Sequence, residues 1–141
     1  MELTALYQDV ILDHNRAPRN FGEMADASGR ADGHNPLCGD EVTVWLRVEN
    51  DVVSAVSFVG QGCAISKASA SMMTQAVKGK TRAEAEAIFD RFHAMVTGES
   101  GAAADPLLGK LKVFSGVARF PTRVKCASLA WHAMKDALAA G

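Results

Sequence analysis

Apolar positions recur at helical spacing, then at every second residue, then at helical spacing again to the end of the chain. Leu3, Leu6, Val10 and Ile11, with Tyr7 alongside, predict a helix over Leu3–His14. The segment NRAPRNFG ends it with a proline and a glycine. Residues 29–36 show no clear period and are expected to be irregular, or a brief edge strand before the NPLCGD turn. From Glu41 the period becomes two. Val42, Val44, Leu46 and Val48 alternate with Thr43, Trp45 and Arg47, which predicts a strand with one face in a core. Residues 49–51 (END) form a turn, and VVSAVSFVG at 52–60 is the returning strand of an antiparallel hairpin.

Helical spacing resumes after GQGC. Ala64–Val77 is helix-compatible and stops at Gly79. The TRAE segment at 81–84 is a capping box: the Thr81 hydroxyl accepts from the Glu84 backbone and Glu84 reaches back. The helix that follows puts Ile88, Phe92 and Met95 on one face. A loop over 98–106 leads to a short helix over Pro106–Val113. Thr122 is the expected N-cap of a last helix with Val124, Ala127, Trp131, Met134 and Leu138 as its apolar stripe. Neither an internal repeat nor a linker divides the chain, so residues 1–141 are expected to form one domain.

Composition narrows the function classes. Hydrophobic residues make up 48% and charged residues 22%, as in a soluble globular protein. A formal charge of −1 without a basic run gives no basis for nucleic-acid binding. No apolar stretch approaches the roughly 20 residues of a membrane span, and the first segment lacks the features of a signal peptide. A cytoplasmic location is the expectation.

The three cysteines are Cys38, Cys63 and Cys126, an odd and sparse count that argues against a disulfide framework. Three unrelated core thiols are the plain alternative, but their settings are alike. Cys63 and Cys126 fall near predicted helix N-termini, where free N–H groups and the helix dipole favour a thiolate. Cys38 lies on a glycine-containing turn that enters a strand. Three thiolates gather only around a cation, because like charges at close range disfavour one another. A tetrahedral Zn²⁺ needs four ligands, and Asp40 in the C-G-D turn is the natural fourth. Such a donor set overcompensates a divalent ion, and Arg123, one turn before Cys126, is the candidate cation. The histidines His14, His34, His93 and His132 are scattered and read as surface or partly buried side chains; His34, four residues from Cys38, is the best placed. Trp45 and Trp131 read as core or interface residues.

Four segments in chain order, DHNRAPRNFG, NPLCGDEV, GQGCAISKASASMM and RVKCASLAWHA, resemble the motifs of the IscU/SufU (NifU N-terminal-like) family of sulfur-accepting and iron–sulfur scaffold proteins. The resemblance is to the SufU branch. Cys126 follows Cys63 by 63 positions, a longer segment than in IscU-type scaffolds, and residues 81–100 look like the SufU insertion. Lys125 also stands where those scaffolds carry a histidine ligand. The resemblance implies a SufE/NifU-like α+β fold, a small antiparallel sheet packed against several helices with the cysteines at one exposed end. It implies zinc held by Cys38, Asp40, Cys63 and Cys126. It further implies a sulfurtransferase role: persulfide sulfur arrives from a SufS-type PLP-dependent cysteine desulfurase and passes to downstream Fe–S assembly machinery. Cys38 is then the acceptor, displaced from zinc by a histidine of the desulfurase, while Arg123 pairs with the displaced Asp40. Two alternatives stand beside this reading. The same donors suit a transient Fe–S cluster in an IscU-type scaffold, against which Lys125 counts. A purely structural zinc domain would normally carry paired C-x-x-C knuckles, which are absent.

Overall fold

The computed structural model describes residues 2–36 and 39–140, with side chains described from Gln8 onward. Helix α1 spans Glu2–Arg16; strands β1 (Gly29–Asn35), β2 (Asp40–Glu49) and β3 (Val52–Gln61) follow. Then come helices α2 (Ala64–Val77) and α3 (Arg82–Val96), two 3₁₀ segments (Ala102–Ala104 and Pro106–Arg119), and α4 (Pro121–Ala140). The three strands form one antiparallel sheet in the order β1-β2-β3. This is the expected α+β architecture. No helix among the described residues is long and apolar enough to cross a membrane.

The hairpin follows its sequence signals. Asn50 and Asp51 both take positive φ (52° and 66°), the turn whose twist matches two antiparallel strands. Val42, Val44 and Leu46 of β2 are buried. On β3 the buried residues are Val53, Val56 and Phe58, and the odd spacing from 53 to 56 has a local cause. The register shifts between Arg47 and Val48, so a bulge absorbs one residue and returns both valines to the core face.

The strand at 29–35 is fuller than its sequence suggests. GRADGHN has no β-branched residue and no apolar alternation, yet all seven residues pair with β2, from Gly29 opposite Leu46 to Asn35 opposite Asp40. Its strand state comes from a partner, which outweighs weak local propensity.

Helices α2 and α4 cover the sheet. Trp131, fully buried, stacks on Phe92 of α3 at 4.6 Å, and Phe92 meets Phe114 edge-on at 5.9 Å. Trp45 is half-buried on the other face, with the Arg30 guanidinium over its ring. The expected faces of α3 (Ile88, Phe92, Met95) and α4 (Ala127, Trp131, Met134, Leu138) are buried, with Val124 half-buried. The Thr81–Glu84 capping box is present in both directions. Of the apolar residues expected to seat α1, Val10 and Ile11 pack against the core; Leu3, Leu6 and Tyr7 lie outside the described side chains.

Two boundaries differ from expectation. The helix after Pro106 is 3₁₀ and runs to Arg119, broken at Gly109 (φ 52°, ψ −126°), where glycine permits the turn. The last helix starts at Pro121 and not after a Thr122 cap. Proline suits a first helical position because its fixed φ is already helical and its missing N–H would find no partner there.

Candidate metal centre

The cluster is built where β2 begins, β3 ends and two helices arrive. Asp40 is the first residue of β2 and is fully buried. Gly39 before it takes a φ of +70°, which turns the chain into the strand. Cys63 is the N-cap of α2, with extended backbone (φ −72°, ψ 163°), and its Sγ accepts from the Ser66 N–H at 3.4 Å. Cys126 is the sixth residue of α4, hence in its second turn, and is buried. The expectation that both cysteines lie near helix N-termini holds: Cys63 caps α2 and Cys126 is in the first two turns of α4, which starts two residues earlier than a Thr122 cap would place it.

The carboxylate and the two sulfurs converge. One ligand atom each from Asp40, Cys63 and Cys126 lies within 4.8 Å of the others. Asp40 Oδ1 accepts from the Cys63 backbone N–H at 2.9 Å, so the carboxylate also satisfies a donor at the start of α2. Its other oxygen, Oδ2, is 3.9 Å from Cys63 Sγ. Cys38, the fourth expected ligand, lies outside the described residues.

A glycine makes this approach possible. Gly62 has φ +143°, and a Cβ placed on it would lie 2.0 Å from Asp40 Oδ1 and 2.8 Å from Asp40 Cγ. A side chain at 62 would occupy the space that the carboxylate fills. The G-x-G-C pattern signals a sharp turn in the sequence, but it does not show which group the glycine admits.

The donor set fits a borderline divalent ion. Thiolate and carboxylate are both zinc ligands, and neighbouring ligand atoms of a tetrahedral zinc–thiolate site are roughly 3.8 Å apart. A spread of 4.8 Å is thus within a small side-chain adjustment of a closed site.

The other candidates fall elsewhere. Arg123 is exposed and its guanidinium lies over the Phe120 ring, 5.9 Å from the centroid. It makes no ion pair with Asp40, which the buried carboxylate's hydrogen bond to Cys63 explains. His34 is exposed on β1 and faces Glu41 at 4.0 Å. Lys125 is exposed beside Cys126.

A second buried polar constellation on α2 had little sequence signal. Ser71 Oγ accepts from the Arg19 backbone N–H at 2.8 Å and lies 2.7 Å from Nδ1 of buried His14. The Ser71 hydroxyl, with one donor and two acceptor sites, serves both the Arg19 N–H and the His14 ring, the direction of the second bond following the imidazole tautomer. Burial is the main cause that holds the His14 pKa below its ordinary 6.5; nearby Arg19 and Lys110 act in the same sense and Asp13 opposes them. Asn20 Nδ2 donates to Thr74 Oγ1 at 2.9 Å. On α2's other side Ser69 donates to the Ala127 carbonyl and accepts from Trp131 Nε1 at 3.2 Å, tying α2 to the turn of α4 that carries Cys126. The available signal is a run of small polar residues, Ser66, Ser69, Ser71 and Thr74, in a helix that is otherwise apolar apart from Lys67 and Gln75.

Fold and site define a small α+β protein that gathers thiolate and carboxylate donors where its sheet meets two helix ends, the form of a domain that handles metal or sulfur. The chain belongs to the family of the NifU-like N-terminal domain, whose model matches residues 6–127, and so to the iron–sulfur cluster assembly proteins of the IscU/SufU type. It is 43% identical over 138 residues to the zinc-dependent sulfurtransferase SufU of Bacillus subtilis, covering 97% of this chain and 92% of that protein. It is 41% identical over 137 residues to the iron–sulfur cluster assembly scaffold protein IscU of Streptococcus pyogenes, covering 97% of this chain and 85% of that protein. Among solved structures, a candidate SUF-system assembly scaffold from Fervidobacterium islandicum superposes with a TM-score of 0.86 at 34% identity, over 92% of this chain and 94% of that one.

Proposed function

We propose that this chain is a zinc-dependent sulfur acceptor that takes persulfide sulfur from a SufS-type, PLP-dependent cysteine desulfurase and passes it into iron–sulfur cluster assembly. The observation that carries the reading is the convergence of Asp40, Cys63 and Cys126 at one end of the sheet. With Cys38 they offer three sulfurs and one oxygen, a full tetrahedral set for zinc. The bound ion would keep the thiols deprotonated at neutral pH without redox chemistry of its own.

The chain's own residues divide the work. Cys126 is buried inside α4, while Cys63 is exposed at the start of α2, where its sulfur accepts from the Ser66 N–H. Cys38, two residues before Asp40 in the sequence, is the acceptor in this reading. Its thiolate attacks the outer sulfur of the donor's cysteine persulfide. A new S–S bond forms on Cys38, the donor's S–S bond breaks, and its electron pair leaves with the donor thiolate, so no external oxidant is needed. Asp40 remains anchored on the Cys63 N–H while this happens. Arg123, exposed near Cys126, is free to turn toward the site once Cys38 has moved.

A second reading, assembly of an Fe–S cluster on the same donors, draws on the IscU names among the relatives. The lysine before Cys126 supports the sulfur-transfer reading, since a lysine ammonium is no cluster ligand. Cys38→Ser separates them from the fold. The serine is nearly isosteric but forms no persulfide, so stimulation of a SufS-type desulfurase is expected to vanish while the melting temperature of the metal-free protein holds. Undiminished stimulation by Cys38→Ser would overturn the proposal.

A further inference from the structure

Two imidazoles meet on the surface between α3 and α4. His93 and His132 are both exposed, with ring centroids 5.7 Å apart and planes inclined at 80°. Phe89 supports both, stacked on His93 at 5.9 Å and edge-on to His132 at 5.2 Å. None of the four ring nitrogens has a hydrogen-bond or ion-pair partner among the described residues. Both rings open onto a groove of about 410 Å³ that a third imidazole, His34, also lines.

The rings meet edge-on, close to the spacing of two imidazoles that share an ion. An ion shared by two imidazoles at about 2.1 Å from each nitrogen stands roughly 3.2 Å from each ring centroid. The centroids then lie about 5 to 5.5 Å apart for tetrahedral angles, and the observed 5.7 Å is within a small side-chain adjustment of that range. Ligation also needs neutral rings. Burial first, and the neighbouring His93 second, push the His132 pKa below its ordinary 6.5, with Asp136 opposing and Lys135 assisting. Imidazole suits first-row divalent ions from iron to zinc, and hard ions such as Mg²⁺ poorly.

We propose that His93 and His132 form a second transition-metal site, weak and completed by water, separate from the cysteine centre. Two protein ligands, with Lys135 over Phe89 at 4.8 Å and Lys125 in the same groove, make it an exchangeable site and not a structural one. It shares no ligand with the sulfur-acceptor site and stands or falls apart from it.

The test uses untagged full-length protein, first given one equivalent of Zn²⁺, then titrated with Ni²⁺ while imidazole NMR resonances and calorimetry are followed. A second binding event is expected, with paramagnetic broadening at His93 and His132. Each of His93→Ala and His132→Ala should weaken that event by about tenfold or more and leave the first equivalent unchanged. Both residues are exposed, so the variants are expected to fold, and the wild-type broadening pattern gives the answer without them. No second event, a second event equally strong in both variants, or broadening confined to other histidines would each overturn the site. Should the first equivalent fail to bind while the histidine-dependent event persists, the cysteine centre is wrong and this site stands.

Discussion

At its N-terminal end α2 meets Asp40, and further along it meets His14. Both partners are buried and both are ionisable. His14 lies against a hydroxyl, Ser71 Oγ, whose second bond comes from the Arg19 backbone, and Asn20 does the same service for Thr74. That network closes on itself and its work is to fasten α1 and the following loop to α2. Asp40 meets the Cys63 N–H through one oxygen and Cys63 Sγ, a weak donor at 3.9 Å, through the other, and Cys126 Sγ is in the same cluster. A buried carboxylate next to thiols is costly unless a cation joins them. Buried polarity that closes on itself marks a structural joint, while a buried carboxylate grouped with two sulfurs is a donor set that could hold a metal ion.

The largest effect should come from disturbing the second kind. Gly62→Ala puts a Cβ into the space of Asp40 Oδ1 and strains a backbone at φ +143°. Zinc affinity, read by competition with a chromophoric chelator, is expected to fall by about 10- to 100-fold. An unchanged affinity would mean that Asp40 is no ligand. Ser71→Ala disturbs the first kind. It leaves His14 and the Arg19 N–H without their partner, and should cost about 1–3 kcal/mol of unfolding free energy in urea. Its zinc affinity should stay within about twofold of wild type, since Ser71 touches no donor of the cluster.

A smaller, graded effect is expected from pH on the metal-free protein. The folded state holds His14 neutral, with a pKa below that of the unfolded chain, so the unfolded state binds the proton more readily. The stability tied to this residue is fully present above the ordinary pKa of 6.5 and is lost as pH falls below it toward the folded value. The melting temperature should drop over that window, and less steeply in His14→Gln. Parallel slopes in both proteins would assign the pH dependence to other groups, His132 first among them.

The legible parts of the fold were those with local causes. Alternating valines, a turn at Asn50–Asp51 and the Thr81–Glu84 box act within a few residues, and each element appears with nearly its expected bounds. Strand β1 was obscure because its pairing with β2, and no property of GRADGHN, makes it a strand. The site divided along the same line. Cys63, Cys126 and Asp40 were readable from turn and helix-start chemistry, and the structure brings them together. Arg123 was placed by helical spacing and by the resemblance, and neither reveals that Phe120 lies under the guanidinium. The carboxylate space at Gly62 and the His14–Ser71 joint depend on residues 22 and 57 positions apart, beyond any local pattern.

The most direct test of sulfur acceptance follows the atom itself. Wild-type protein is incubated with a SufS-type desulfurase, PLP and cysteine, alkylated under non-reducing conditions, digested, and analysed by mass spectrometry. The account predicts one added sulfur on the peptide containing Cys38, and none on the peptides of Cys63 and Cys126. Added sulfur confined to Cys63 or Cys126, or an Fe–S cluster assembled with no persulfide on the chain, would contradict it.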